Sequence, residues 1–221
     1  MAKYKLAIFD WDGTILDSIG TIVNSVHGAA KDLNLPILDD QTVKNIIGLR
    51  LDTAIGQLYP ELSQEELRIF LENYTKHFHF LEKVAPNLYP NVLETLQKLR
   101  EENILLAVAT GKSRVGLDRI LNMLGLSDFF DATRCADETA GKPDPKMLHE
   151  LLTQFGLTNK EAIMVGDASF DLQMANNANI DCIAVSYGAQ PTSSLKNYSP
   201  KYIIDQFNEL INHLITPQEL F

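Results

Sequence analysis

The chain has 221 residues, with 19 basic and 29 acidic side chains and a formal net charge of −10. This length can bury a sizeable core, either in one large domain or in a core that carries a smaller inserted domain. The acidic balance disfavours nonspecific attraction to nucleic acid or to an anionic membrane, so we expect neither as a partner.

The cysteine content and the start of the chain indicate a cytoplasmic protein. Cys135 and Cys182 lie far apart and form no CxxC pair, so we expect buried free thiols in a reducing compartment. Residues 1–4 lead directly into an apolar segment without the features of a signal peptide. No apolar run approaches membrane-spanning length either.

The first predicted strand, residues 6–9, ends in two carboxylates. Asp10 and Asp12 follow it one residue apart, just before Gly13. Open α/β sheets bind their ligands at this carboxyl edge. Two anions so close together repel each other unless a cation or a proton relieves them, which predicts a metal site, an acid/base pair or both. Asp-x-Asp-Gly also occurs in ordinary turns, so this stretch alone does not decide between chemistry and a turn.

Residues 15–84 contain helical patterns and no strand pattern. Apolar residues from Ile19 to Leu33 recur at helical spacing, and Asp17 and Ser18 precede them as candidate caps. Shorter helices are predicted at 42–47 and 52–58, and a capping box at 63–66 begins a helix that continues to about residue 81. We therefore expect an all-helical inserted domain, residues 15–84, with hinges near 14–17 and 84–86.

The rest of the chain alternates between strand and helix patterns. The apolar run 104–109 ends at Thr110 and Gly111, as expected for a parallel strand covered on both faces. Asp144 and Pro145 are expected at the start of a helix that ends before Gly156. This alternation predicts an α/β fold with a doubly wound, parallel-sheet, Rossmann-like core, formed by residues 1–14 and 85–221. The further predicted strands are 132–135, 162–165, 181–185 and 202–204, and the further predicted helices begin near 92, 114 and 171.

Polar residues at three strand ends are expected to converge on one crevice. Hard oxygen ligands without a His or Cys cluster favour Mg²⁺ over zinc. A lysine just ahead of a helix supplies a positive charge. The candidate residues are Asp10, Asp12, Thr110, Gly111, Lys142, Asp167 and Asp171.

This ordered set of motifs resembles the haloacid dehalogenase superfamily of phosphotransferases. Each motif alone is weak, but the four occur in the right order on the right elements. They are Asp10-Trp11-Asp12-Gly13-Thr14, Thr110-Gly111, Lys142-Pro143, and Gly166-Asp167 with Asp171. A helical cap inserted directly after the first motif is similar to the phosphoglycolate phosphatase-like branch.

The resemblance implies a role for each residue. Asp10 would be the nucleophile that forms an aspartyl-phosphate, and Asp12 would act first as general acid and then as general base. Mg²⁺ would be held by the Asp10 carboxylate, the Asp12 backbone carbonyl and Asp167, with Asp171 ligating directly or through water. The phosphoryl oxygens would be bound by Thr110, the Gly111 amide and Lys142.

The expected function is therefore a Mg²⁺-dependent phosphatase acting on a small phosphorylated metabolite similar to 2-phosphoglycolate. Asp12 favours phosphate esters, since family members that cleave carbon–halogen bonds lack the second aspartate. A sugar phosphomutase of the same branch and a non-catalytic, receiver-like phospho-aspartate module remain alternatives. A phosphonate-cleaving relative would need a Schiff-base lysine, for which the cap offers no obvious candidate. We expect a monomer or weak homodimer.

Substrate specificity should come from the cap. Arg50 follows a glycine in a loop between cap helices and is a candidate for binding the non-phosphate end of the substrate; an exposed arginine is the alternative. Lys112 and Arg114, just past Gly111, are candidates for adding positive potential at the mouth of the site.

Overall fold

The molecule is built around one parallel β-sheet, in a computed structural model that describes residues 4–82 and 86–215. In these ranges the sheet has six strands in the order β3-β2-β1-β4-β5-β6. The strands are β1 (Leu6–Phe9), β2 (Leu105–Thr110), β3 (Ala132–Cys135), β4 (Ala162–Gly166), β5 (Asp181–Val185) and β6 (Tyr202–Ile204). The predicted α/β fold with a doubly wound parallel sheet is confirmed.

The central strand β1 sets the position of the site. Leu6 pairs with Leu105 of β2 on one side and with Ala162 of β4 on the other. The chain adds β2 and β3 on the first side and then returns to add β4, β5 and β6 on the second. The strand order therefore reverses beside β1, which is where open α/β sheets form a ligand crevice.

Alternate residues of β1 point to opposite faces of the sheet, and both faces are covered. Ala7 and Phe9 pack into one apolar cluster, and Leu6 and Ile8 pack into the other. All four are fully buried, as a continuous apolar run requires. The helices that lie after residue 86 along the chain are α5 (Val92–Glu101), α6 (Arg114–Met123), α7 (Lys146–Phe155), α8 (Ser169–Asn177), α9 (Thr192–Leu195) and α10 (Leu210–Leu214).

Four helices between β1 and α5 share a third apolar cluster. These are α1 (Ile19–Asp32), α2 (Asp40–Lys44), α3 (Leu51–Leu58) and α4 (Gln64–Glu82). On α4 the residues Phe70, Tyr74 and Phe78 form one buried stripe at helical spacing. The predicted capping box opens this helix: the Ser63 amide donates to Glu66 Oε2 at 2.9 Å, and the Glu66 amide donates to Ser63 Oγ at 3.3 Å.

Some helix ends differ from the sequence-based prediction. The helix α2 begins at Asp40 because the Asp39 carboxylate accepts from the Thr42 amide at 3.0 Å. Ser18 occupies the N-cap position of α1, as predicted, but its hydroxyl makes no capping hydrogen bond and instead donates to Asp12. Asp144 does accept from the Lys146 amide, at 2.9 Å.

Other features agree with expectation or fall outside the described ranges. Cys135 and Cys182 are free and buried, as predicted. The second predicted hinge, 84–86, lies partly outside the described residues. Within those residues, no helix combines the length and apolarity needed to cross a membrane.

The side chain of Phe70 is fully buried among the four helices, whereas Phe80 on the same helix is 71% exposed. We predict that Phe70→Ala lowers the free energy of unfolding by about 3–5 kcal/mol through cavity formation. Phe80→Ala is the matched control and should change it by no more than about 0.5 kcal/mol. Urea denaturation of both variants measures this, and equal effects would contradict the packing described for α4.

Candidate active site

The end of β1 delivers two carboxylates to the carboxyl edge of the sheet. Asp10 continues the strand, because its amide donates to the Val165 carbonyl at 2.9 Å, and its side chain is 1% exposed. The chain then turns at Gly13, which has a positive φ of 89°. A Cβ atom at Gly13 would overlap the Asp167 carboxylate. Glycine is therefore required here both for the backbone conformation and for the close approach of a second acid.

A buried ammonium group lies between two of the acids. Lys142 Nζ is 2.5 Å from Asp10 Oδ1 and 2.6 Å from Asp171 Oδ1. The Lys142 side chain has no solvent exposure. It therefore bridges the end of β1 and the first turn of α8, which are distant in the sequence.

Backbone and hydroxyl donors hold the other two acids in place. Asp167, directly after β4, accepts from Thr14 Oγ1 at 2.9 Å and from the Ala189 amide at 2.7 Å. Asp171 Oδ2 accepts from the amides of Asp167 and Ala168 at 3.2 and 3.0 Å. These bonds fix the carboxylates in position without neutralising their charge.

Burial and mutual repulsion change the acidity of the cluster. Burial is the main cause that raises the pKa of Asp10 well above its ordinary value; the ammonium of Lys142 opposes this, and the neighbouring acids reinforce it. Burial and then the Asp171 charge raise the pKa of Asp167 to about 7. Burial alone would lower the pKa of Lys142, but Asp10 and Asp171 raise it above its ordinary value, so this side chain stays charged.

The acidic cluster fits a divalent cation. Asp10, Asp167 and Asp171 each offer one oxygen within 4.8 Å of the others. Asp10 Oδ2 is buried and has no hydrogen-bond partner in the described part of the chain. Asp171 Oδ1 also has no hydrogen bond in these ranges, but it lies 2.6 Å from the Lys142 ammonium, and Asp171 Oδ2 accepts from two backbone amides. An oxygen-only set of this kind suits Mg²⁺, with Asp10 and Asp167 the better placed to ligate.

Thr110 ends β2 and Gly111 follows it, and both line the same cavity as Asp10 and Asp12. Thr110 is 1% exposed, and its hydroxyl accepts from the Lys112 amide at 3.1 Å. A Cβ atom at Gly111 would overlap the backbone carbonyl of Gly48, in the loop between α2 and α3. The helices α1 to α4 and their loops, which we call the helical layer, thus lie directly against the strand end that carries the site.

The Asp12 carboxylate is held by two side chains that the sequence analysis did not connect with Asp12. Ser18 Oγ donates to Asp12 Oδ1 at 2.7 Å, and Lys112 Nζ lies 3.0 Å from Asp12 Oδ2. The same Lys112 ammonium lies 4.8 Å from the ring centroid of Phe78 on α4. Asp12 is therefore held between the first helix, α1, and a lysine that also contacts the last helix of the inserted layer.

Comparison with known proteins identifies the family. The family model for haloacid dehalogenase-like hydrolases matches residues 7–185. The chain belongs to this family.

Related sequences extend over nearly the whole chain. The probable phosphatase IndB of Dickeya dadantii is 35% identical over 93% of this chain and 91% of its own length. A phosphoglycolate phosphatase of Colwellia psychrerythraea is 30% identical over 96% of this chain and 97% of its own length. A solved structure described as a predicted phosphoglycolate phosphatase from Haemophilus somnus superposes with a TM-score of 0.82 at 28% identity, covering 96% of this chain and 99% of that one. The expectation of a phosphoric monoester hydrolase in the haloacid dehalogenase-like family is confirmed.

In this haloacid dehalogenase-like hydrolase a cavity of about 420 Å³ opens from the acidic cluster toward the helical layer. Arg50 lines it, but its guanidinium is half exposed and pairs with Asp52, with Nε 2.8 Å from Oδ1. Lys112 also lines the cavity, as expected. Arg114 is directed elsewhere and pairs with Glu138 at 2.8 Å.

We predict that Lys142→Met lowers the free energy of unfolding by about 3–5 kcal/mol at pH 8, because two buried carboxylates lose their counter-charge. Without Lys142 the folded-state pKa of Asp10 rises further above its unfolded value. The protonated acid is then favoured in the folded protein, and stability falls as the pH rises. The loss should therefore be smaller at pH 5 than at pH 8 in urea denaturation.

The exposed Lys98 provides a matched control. Lys98→Met should change stability little at either pH. A Lys142→Met effect that does not depend on pH would contradict the charge balance described here.

Proposed function

We propose that this chain is a Mg²⁺-dependent phosphomonoesterase that acts on a small phosphorylated metabolite through an aspartyl-phosphate on Asp10. The observation that carries the proposal is the buried contact of Lys142 with Asp10, beside an Asp10 oxygen that has no hydrogen-bond partner in the described ranges. A nucleophile must keep one oxygen open for attack, and a phosphoryl group needs a positive charge next to it. This part of the site offers both.

In the first step, one carboxylate oxygen of Asp10 attacks phosphorus, and the bond between phosphorus and the ester oxygen breaks. Asp12 donates a proton to the leaving alkoxide, which departs as an alcohol. In the second step Asp12 takes a proton from a water molecule that attacks the phosphorus of the aspartyl-phosphate. The bond between phosphorus and the Asp10 oxygen breaks, so inorganic phosphate leaves and the Asp10 carboxylate is regenerated.

Each remaining residue has a role consistent with its position. Thr110, the Gly111 amide and Lys142 would bind the phosphoryl oxygens, and the contact between Lys142 and Asp10 would bring phosphorus to the nucleophile. Mg²⁺, held by Asp10, Asp167 and the Asp12 carbonyl, would supply the positive charge that offsets repulsion between a carboxylate and a phosphate dianion. We assign Asp171 to fixing Lys142 and the start of α8, with any contact to the metal made through water.

We propose that residues 15–84 form a cap over a core of residues 1–14 and 85–221. The cap would exclude water while the leaving group departs. Three contacts support its closure over the site: the loop at Gly48 lies against Gly111, Phe78 covers Lys112, and Glu82 pairs with Arg119 of α6.

Phosphoglycolate phosphatases among the relatives make 2-phosphoglycolate the first substrate to test. A sugar phosphomutase would use the same core residues, and its product, an isomeric sugar phosphate rather than free phosphate, distinguishes it. The receiver-like alternative is set aside because the matching family model describes hydrolases and the relatives compared above are named phosphatases.

We predict that Asp10→Asn releases no phosphate from any ester, since the amide cannot attack phosphorus. Asp12→Asn should act differently. With p-nitrophenyl phosphate, whose leaving group departs without a proton, it should give a burst of about one equivalent of nitrophenolate followed by slow turnover, because water is no longer activated. Stopped-flow absorbance measures the burst. Unchanged steady turnover in Asp12→Asn would contradict its assigned role.

We predict that chelation of divalent ions abolishes phosphate release and that added Mg²⁺ restores it. Asp167→Asn should raise the Mg²⁺ concentration for half-maximal rate by about 10-fold or more, because one ligand charge is lost. Asp128→Asn, a change at an exposed acid, is the control and should leave this concentration unchanged. A titration in which both variants match the parent would rule out Asp167 as a ligand.

A further inference from the structure

Two polar side chains on the cavity wall are not among the residues that bind or react with the phosphoryl group in the proposal above. Lys112 and Tyr74 both line the cavity beside Asp12. Lys112 follows β2, whereas Tyr74 lies on α4, so the two approach from the core and from the helical layer. The Lys112 side chain is 11% exposed, and Tyr74 is 8% exposed.

The Tyr74 hydroxyl has no hydrogen bond to any residue in the ranges 4–82 and 86–215, although more than nine-tenths of the side chain is buried. Its ring stacks on Phe78, with centroids 5.7 Å apart. Burial raises the pKa of Tyr74 above its ordinary value, and the charges of Asp12 and Glu82 add to this effect. The hydroxyl is therefore a proton-bearing donor that faces the cavity and lacks an acceptor. A donor on the cavity wall that has no acceptor in the protein is available to an atom of a bound ligand.

The position of Lys112 relative to the ester oxygen follows from Asp12. Lys112 Nζ is 3.0 Å from Asp12 Oδ2, and Asp12 must itself reach the ester oxygen to protonate it. The ammonium consequently lies next to whatever is attached to the carbon that bears this oxygen. Its contact with Asp12 leaves further N–H donors for a ligand, since an ammonium has three.

The other cations around the cavity are less available. Arg50 donates from Nε and a terminal nitrogen to Asp52. Arg119 pairs with Glu82, which is 4% exposed and would be left as a buried, unpaired charge if the arginine moved away. Lys112 is thus the cavity cation that lies next to Asp12, and the predicted Arg50 stays a second candidate for the non-phosphate end of a substrate.

We propose that Lys112 and Tyr74 form a leaving-group subsite that binds a carboxylate carried on the carbon that bears the ester oxygen. The proposal rests on the phosphatase function proposed above and specifies its substrate class as 2-phosphocarboxylates. The carboxylate carbon lies two covalent bonds from the ester oxygen, on the part of the substrate that would face Lys112 and Tyr74 across the cavity. The smallest member is 2-phosphoglycolate, and a cavity of about 420 Å³ also admits longer members.

The test compares 2-phosphoglycolate with ethyl phosphate, which has the same two-carbon skeleton and no carboxylate. The parent protein should prefer 2-phosphoglycolate in kcat/KM. Lys112→Met should reduce this preference by about 10- to 100-fold, mainly through KM, because it removes a charge-assisted contact. Tyr74→Phe should reduce it by about 2- to 10-fold, and Lys112→Arg should keep part of it. Lys160→Met is the control, because this exposed lysine lies just before β4, at the amino ends of the strands. It should keep the full preference for 2-phosphoglycolate.

A binding measurement separates recognition from turnover. In the Asp10→Asn background, calorimetric titration with 2-phosphoglycolate in Mg²⁺ should give a Kd about 10-fold or more weaker when Lys112→Met is added. Equal losses for both esters would overturn the proposal, since Lys112 would then act only through Asp12. An unchanged preference, or a parent protein that favours ethyl phosphate, would also overturn it while leaving the phosphatase function intact. No phosphate release from either ester, nor from p-nitrophenyl phosphate, would instead overturn the proposed function and this proposal with it.

Discussion

The structure depends on one buried ammonium group between carboxylates. Lys142 contacts Asp10 and Asp171, and Asp167 lies close by, so three acids and one base share a region without solvent. Such a group is costly unless the charges are nearly balanced. The lysine supplies one positive charge, and the raised pKa values of Asp10 and Asp167 show that the remaining negative charge is poorly compensated. A divalent cation would complete the charge balance. The buried acids of the fold and the proposed reaction therefore both require positive charge at the same place.

The helical layer participates in this site through backbone and side-chain contacts. Ser18 from the start of α1 and Lys112 from the core hold the two oxygens of Asp12. The Phe78 ring on α4 covers Lys112, and the loop at Gly48 lies against Gly111. The proposed acid/base is therefore oriented by residues from both layers. Movement of the cap would change the surroundings of Asp12 as well as the access of substrate, which links specificity to the acid/base step.

The sequence predicted the sheet and the members of the acidic cluster because strong local patterns specify both. Apolar runs covered on both faces define parallel strands, and the order of strands brings their polar ends to one edge. It did not predict contacts that depend on the tertiary path. The sequence suggested that the Ser18 hydroxyl caps α1. In the structure the chain turns at Gly13, and this hydroxyl donates to Asp12 instead. Similarly, Arg50 is engaged by Asp52, and the importance of Lys112 follows from the position of α4.

The charge balance around Asp10 is tested most directly by counting the protons released when Mg²⁺ binds. Calorimetric titrations at pH 7 in buffers of different ionisation enthalpy give this number. Since the pKa of Asp167 is about 7 and that of Asp10 is also raised, the metal-free protein should retain protons that Mg²⁺ displaces. The account predicts net proton release at pH 7 and less release at pH 9. Binding without proton release at pH 7, or no binding of Mg²⁺, would contradict it.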